Sequence, residues 1–282
     1  MARPLVMGVL NVTPDSFSDG GLYFEPERAV ERGIQMFDEG ADVVDVGGES
    51  SRPGALPVPE AEEMRRVVPV IEALAAHGRV SVDTRKESVA EAALAAGATL
   101  LNDISASLWH VAAAAGAGWV AMHMKGTPLS MQEAPSYSDV VREVHGFLLE
   151  RASRAQSAGV AEVWVDPGIG FGKTAAHNLS LLRHLPQLVA TGFPVLVGTS
   201  RKSFLGALAA RPGGPGSPPV PVELRVDGSI ATATWAMLAG ASMVRVHDVA
   251  ASHQAAVLVG EARLDVSGRL GVSSVASAMG ST

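Results

Sequence analysis

A short apolar run, a turn-rich polar stretch and a segment with helical apolar spacing follow one another eight times along this sequence. The runs cover residues 5–10, 42–46, 79–82, 99–101, 119–122, 163–165, 195–197 and 243–246. Strands separated by a helix pair in parallel, because a crossover of that length returns the chain to the starting end of the sheet. Hydrophobic residues make up 47% of the chain and aromatics 5%, so the core is mostly Ala, Val and Leu, which suits parallel strands covered by helices. At 282 residues, near the roughly 250 usual for the architecture, the pattern predicts a single α/β domain folded as a (β/α)8 TIM barrel. An open doubly wound sheet is the alternative.

The helices carry their own punctuation. Pro26 sits in the first turn of the first helix, Val30, Ile34 and Phe37 recur on one face, and Gly40 suits its C-terminal cap. In the second, over residues 59–76, Pro69 should kink or split the helix. A Pro/Gly-dominated stretch at 211–221 reads as a mobile insertion on the seventh unit, within a barrel spanning 1–264, and 265–282 form a Ser/Gly-rich tail.

What favours the barrel is where the polar residues fall. Asn11, Glu49, Asp83, Asn102, His123, Asp166, Lys202, Arg245 and His247 all follow strand ends, and a barrel gathers them on one face. Asp166 opens Asp-Pro-Gly-Ile-Gly-Phe-Gly-Lys after a buried strand. A carboxylate there is costly unless donors meet it, so the glycines are expected to let a flat ligand approach the backbone. Capping of the next helix, or ordinary Asp-Pro-Gly turn chemistry, is the alternative. Pro167 stands where a phosphate-cradling G-x-x-x-x-G-K-[ST] needs glycine, and the strict alternation of Gly168, Gly170 and Gly172 breaks the dinucleotide fingerprint. Asp83 can also be read as an N-cap on Thr84-Arg85-Lys86, Asn102 and Asn11 as turn residues, and His247 as a core histidine.

A formal charge of −7 and a pI near 5.6 argue against general affinity for nucleic acid or anionic membrane. Without cysteine there is no disulfide, thiolate nucleophile or thiolate metal site. No signal peptide and no apolar run of spanning length can be read, so a cytoplasmic protein is expected.

The stretches Asn11 to Gly21, Asp45 to Gly54, Asp166 to Lys173 and Ser200-Arg201-Lys202-Ser203, in this order, resemble the dihydropteroate synthase family. That family condenses 6-hydroxymethyl-7,8-dihydropterin pyrophosphate with p-aminobenzoate, releases pyrophosphate, and is the target of sulfonamides. The resemblance implies that Asp166 takes the pterin's adjacent amino and ring N–H groups as a bidentate acceptor, with Asp83, Asn102, Gly170, Phe171 and Lys202 around the ring. It implies Arg245 and His247, with Asn11, Ser51 and Arg52, around the pyrophosphate, Ser51 standing where many members have threonine. It implies p-aminobenzoate against Phe17, Pro53, Ser200, Arg201 and Ser203, and a homodimer.

Arg245 and His247, two apart on one strand, point the same way. Asn11 is the expected Mg2+ ligand, since a hard cation that keeps its waters needs only one or two protein oxygens beside the phosphates. No general base is evident: the arylamine is already nucleophilic, so Asp83 and Lys202 are expected to act by charge and positioning.

Three other readings have to be weighed. A pterin-binding methyltransferase barrel shares the Asp and Asn grip but has no pyrophosphate to hold, which Ser200-Arg201-Lys202-Ser203 and Arg245-x-His247 argue against. A catalytically silent paralogue should have lost loop or anion residues, and here they are present. A metal-dependent amidohydrolase would want His-x-His where the chain has Leu10-Asn11-Val12. The polar loops at 12–21 and 47–57 are expected to be mobile without ligand.

Overall fold

The computed structural model describes residues 3–13, 26–210 and 218–266. Its strands are β1 (Leu5–Asn11), β2 (Val43–Gly47), β3 (Arg79–Asp83), β4 (Leu100–Asp103), β5 (Gly118–Met122), β6 (Val163–Asp166), β7 (Leu196–Val197) and β8 (Met243–Val246). All neighbours pair in parallel in the order β6-β5-β4-β3-β2-β1-β8-β7. The ring closes between β6 and β7 through a parallel bridge from Val165 to Val195, so the sheet is a barrel and not an open doubly wound layer.

The helices are α1 (Pro26–Asp38), α2 (Glu60–Leu74), α3 (Glu87–Ala95), α4 (Trp109–Ala115), α5 (Val140–Ser157), α6 (Ala175–Arg183), α7 (Leu185–Val189), α8 (Ser203–Ala209), α9 (Val226–Leu238) and α10 (Val249–Val266). Pro69 does not split the helix: α2 is one helix from Glu60 to Leu74. Packing supplies the reason, because Val67, Val70, Ile71 and Leu74 are all fully buried around it and hold both halves on the barrel. The seventh unit carries α9 in addition to α8, a helix the strand-counting pattern did not separate. Residues 211–217 of the expected insertion, and the tail from 267, lie outside the described residues. Val220, at the insertion's far end, is already docked, its N–H on the Gly206 carbonyl. Among the described residues no helix is long and apolar enough to cross a membrane.

Two cores result from strand alternation. Outward residues pack under the helices, while Met7, Val43, Leu100, Val120, Trp164, Leu196 and Met243 fill the barrel's interior. Side chains alternate faces along a strand. The residues two further along therefore form the next inward layer: Val9, Asp45, Asn102, Met122, Asp166, Gly198 and Arg245. An apolar plug thus supports a polar floor at the C-terminal face.

Candidate active site

Above the plug lies a cleft lined by Ser51, Asp83, Asn102, Ile104, Met122, Asp166, Phe171, Gly198, Lys202 and Arg245. Of the nine strand-end residues expected on one face, five line this cleft: Asp83, Asn102, Asp166, Lys202 and Arg245. His247 is not among the lining residues. It follows β8 two positions beyond Arg245, where its backbone N–H and its Nδ1 lie 3.1 and 2.9 Å from the Ser200 hydroxyl. Burial first, and then the nearby Arg245 and Arg201, push its pKa down to about 3. A neutral ring whose Nδ1 accepts the Ser200 hydroxyl carries its proton on Nε2, free to meet an anion.

The floor is a charge cluster. Arg245 donates from Nε to Asp45 (2.6 Å) and from Nη2 to Asp83 (2.7 Å), so two carboxylates from adjacent strands share one guanidinium. Asn102 donates to the same Asp45 oxygen at 3.0 Å. Burial lifts Asp83 to about 7 against the pull of Arg245, with Asp45, Glu63 and Asp103 adding repulsion. The capping reading of Asp83 fails, because its carboxylate faces Arg245 and the residue at the α3 cap is Lys86. Burial works against the Arg245 charge too, yet Asp45 and Asp83 hold its pKa above the ordinary value.

Asp45 has no place among the expected site residues, although the sequence does signal it: a carboxylate in the middle of Val43-Val44-Asp45-Val46 needs a partner on the buried face.

Asp166 ends β6, buried, with one oxygen accepting the Gly168 N–H at 2.7 Å. The turn reading therefore holds in part, while the capping reading fails because Thr174 caps α6. Burial raises the Asp166 pKa, opposed by Lys202, the Gly168 N–H, Lys173 and Arg245.

The alternating glycines have a structural cause of their own, apart from any ligand. Gly168, Gly170 and Gly172 all have positive φ, at 63°, 86° and 64°. A Cβ on Gly168 would lie 1.9 Å from the His123 carbonyl oxygen, and one on Gly172 would lie 2.2 Å from that of Lys125. Gly168 and Gly172 clear the loop after β5, while Gly170 lies beside the Lys202 chain.

Lys173 fastens this loop. Its buried ammonium meets His123 Nδ1 (3.0 Å) and the carbonyls of His123 (3.1 Å), Gly168 (2.9 Å) and Phe171 (3.0 Å). His123, expected at the site, is consumed here, its pKa pushed down to about 3 by burial and then by Lys173. Lys202 donates to the Ile169 carbonyl and lies 4.6 Å from the centroid of the Phe171 ring. Burial lowers it to about 8, against the pull of Asp166.

Arg201 adopts φ 58°, uncommon for a side-chain-bearing residue. Its N–H is held by Ser229 (2.8 Å), its carbonyl by Arg225 (3.1 Å), and its guanidinium grips Asp248 at 3.1 and 2.5 Å. Its charge is therefore committed, and what it gives the site is the turn that aims Ser200 and Lys202. Ser203 begins α8 and is exposed.

On the loop after β2, Arg52 and Pro53 are exposed while Ser51 reaches the cleft. The base of that loop is fixed, contrary to the expectation of mobility throughout. Glu49 accepts from Arg85 (3.0 Å), Lys86 (2.7 Å) and the Val58 N–H (2.7 Å), and Lys86 also reaches Glu63. Phe17 lies outside the described residues, as does most of the 12–21 loop. Among the described residues no group of three or more His, Asp or Glu could hold a metal. Asn11, at the end of β1 opposite Gly47, offers one amide oxygen, which fits an ion held mainly by substrate phosphates and water.

Residues 7–247 match the family described as pterin binding enzyme. The dihydropteroate synthase of Mycobacterium leprae (strain TN) is 48% identical over 269 residues, spanning 92% of this chain and 94% of its own length. The solved structure of Xanthomonas albilineans dihydropteroate synthase with 4-aminobenzoic acid superposes with a TM-score of 0.83 at 47% identity, covering 93% of each chain. A structure of the enzyme from that organism in complex with 7,8-dihydropteroate gives 0.80 at 45% identity, covering 93% of this chain and 94% of its own. With the family matched across the barrel and relatives this similar over nearly the whole length, the chain belongs to the pterin-binding enzymes and, within them, to the dihydropteroate synthase family.

Proposed function

We propose that the polar floor binds a dihydropterin and that the strand-end groups above it carry the condensation of 6-hydroxymethyl-7,8-dihydropterin pyrophosphate with p-aminobenzoate. The observation that carries this reading is the donor and acceptor pattern of the cleft. Asp166 is buried with acceptor capacity to spare, which suits an amino group beside a ring N–H, each charge-assisted bond contributing roughly 1.5–3 kcal/mol. Lys202 is a half-buried cation on the same cleft, suited to the ring's carbonyl side, and Phe171 packs against it.

The reaction needs the C–O bond to the pyrophosphate to break as the arylamine nitrogen attacks the methylene. The leaving group takes the bonding electrons, so cations and N–H donors must face it. The His247 Nε2–H, Ser51 and Arg52 are the groups for that task. Asp83, across from Arg245, stabilises positive charge developing on the pterin. Mg2+, held by Asn11 and the diphosphate, would supply charge neutralisation of the leaving group. Pro53 and Ser203 would border p-aminobenzoate, and a sulfonamide resembling it would compete there.

One exposed apolar surface supports a homodimer as part of this proposal. Trp235 (38% exposed) and Leu238 (64%) on α9, and Val257 (39%) and Leu258 (72%) on α10, are exposed apolar residues on two helices that pack together. We read this as the face of a homodimer. Leu258→Glu should halve the mass measured by light scattering, and an unchanged mass would remove that reading.

The activity is tested by incubating the protein with the pterin pyrophosphate, p-aminobenzoate and Mg2+ and measuring dihydropteroate. No product above a no-enzyme control, from protein that is folded by circular dichroism, would overturn the proposal.

A further inference from the structure

Asp45 is fully buried in the barrel, directly above the apolar plug that includes Val43 of its own strand. Its hydrogen bonding is lopsided. Oδ2 takes both donors, Asn102 Nδ2 at 3.0 Å and Arg245 Nε at 2.6 Å, while Oδ1 has no partner among the described residues. Stability is a poor reason for such a residue, since a buried ion pair replaced by well-packed apolar groups often costs nothing. Nor is it needed as a counter-charge alone, because Asp83 already faces the Arg245 guanidinium. What Asp83 does not touch is Asn102.

An asparagine amide has two faces of opposite meaning, and only its neighbours decide which one a ligand meets. Asp45, an acceptor, can satisfy only the Nδ2 face. Asn102 lines the cleft, so its Oδ1 is the face left for the ligand. We propose that Asp45 is a positioning residue for pterin recognition: by accepting Asn102 Nδ2 it fixes the amide so that an acceptor, not a donor, meets the ring. The inference rests on the pterin reading of the cleft.

Together with Asp166, this presents acceptors to the ring's donor groups, with Lys202 as the donor on the same cleft. A ring carrying its donors and acceptors in the reverse order would meet mismatched partners at each point. Without Asp45 the amide can rotate by half a turn and offer its N–H2, which sets donor against donor.

The test separates acceptor from charge. In Asp45→Ala both donors lose their partner and the amide is released. In Asp45→Asn one amide oxygen can still accept both donors, with the nitrogen taking the position of Oδ1. Calorimetric titration with 6-hydroxymethyl-7,8-dihydropterin pyrophosphate should show Asp45→Ala weaker by roughly tenfold or more, and Asp45→Asn within about threefold of the natural protein. The KM for the pterin substrate should rise in Asp45→Ala while that for p-aminobenzoate stays constant. In an Asn102→Ala background the Asp45→Ala effect should shrink to about twofold, because the residue it acts through is gone.

Pterin affinity unchanged in Asp45→Ala would overturn the inference, as would fully multiplying effects in the double variant, or Asp45→Asn as weak as Asp45→Ala. If Asp45→Ala does not fold, Asp45→Ser takes its place, and failure of both to fold would make Asp45 a structural residue. Failure of the natural protein to bind the pterin substrate at all would instead bring down the reading of the cleft.

Discussion

The loops after β6 and β2 both carry glycine and both border the cleft, yet they are built in opposite ways. The β6 loop is fastened along its whole length. Lys173 meets four acceptors inside it and beside it, the Gly170 N–H goes to Asn178 (2.8 Å), Tyr137 donates to the Gly172 carbonyl (2.9 Å), and Gln132 donates to that of Gly170 (2.8 Å). The β2 loop is held at its ends, by Glu49 and Val58, and touches the β5 loop through the Gly54 N–H on the Pro128 carbonyl at 2.9 Å. Between those points Arg52, Pro53 and Gly54 are exposed, and Leu56 is 77% exposed. The difference matches the tasks proposed for them. A group that reads a flat ring has to be in place beforehand, whereas groups that enclose an anion and a second substrate have to let both in.

The contrast breaks most easily at Gly168. Its φ of 63° and the 1.9 Å approach to the His123 carbonyl leave no room for a Cβ, because the obstacle is backbone. Gly168→Ala should destabilise the protein by about 3 kcal/mol or more in urea unfolding and abolish pterin binding. A variant of natural stability would mean that the loop is not rigid. Next in size is Asp166→Asn, which sets an amide donor against a ligand donor. We expect a loss of about 3 kcal/mol in pterin affinity by calorimetry. Unchanged affinity would remove Asp166 from the ring's edge.

How much of this could be read beforehand differs between strands and networks. Eight runs and their polar ends were legible because strand alternation and helix spacing are local properties, and Asp166, Lys202, Asn102 and Asp83 did converge on one cleft. Asp45 was passed over because its meaning lies in Arg245, 200 positions away. Lys173 was legible as part of a motif but not as a latch, since its partner His123 belongs to another strand's loop. The glycines were noticed, but not the backbone that crowds two of them: sequence shows that a residue must be small or left-handed, not what approaches it. Pro69 failed as a helix breaker because buried packing on both sides outweighs one missing hydrogen bond.

Lys173 provides a subtler test of the rigid loop. Burial pushes its pKa down to about 7, with Lys202 adding repulsion and Asp166 opposing. Sign follows from proton counting: above pH 7 the folded chain has released a proton that the unfolded lysine keeps until about 10.4. Stability contributed by this residue therefore rises with pH across that window. Lys173→Met should be less stable by about 2 kcal/mol at pH 7, through the acceptors left without a donor. The gap to the natural protein should then widen as pH rises towards 10. A gap that narrows would mean that pairing with Asp166, not burial, sets the charge.

The smallest effect is expected on the β2 loop, and it concerns order of binding. A Cβ on Gly54 would meet nothing within 4 Å, so the only penalty for Gly54→Ala is its φ of 80°, about 1 kcal/mol. The substitution should leave pterin affinity unchanged, because nothing in the β6 loop depends on it. It should act on p-aminobenzoate alone. On the proposed reading Ser51 and Arg52 are the loop's anion-binding groups and Pro53 its wall for an aromatic ring, so diphosphate with Mg2+ would draw the tip inward before the second pocket exists. Calorimetry of the natural protein should therefore show p-aminobenzoate binding with pyrophosphate and Mg2+ present and little without them. In Gly54→Ala that binding should weaken by a few-fold, since a strained tip closes less readily. Equal p-aminobenzoate affinity with and without pyrophosphate would mean a pocket formed in advance, and the two loops would then differ in exposure but not in role.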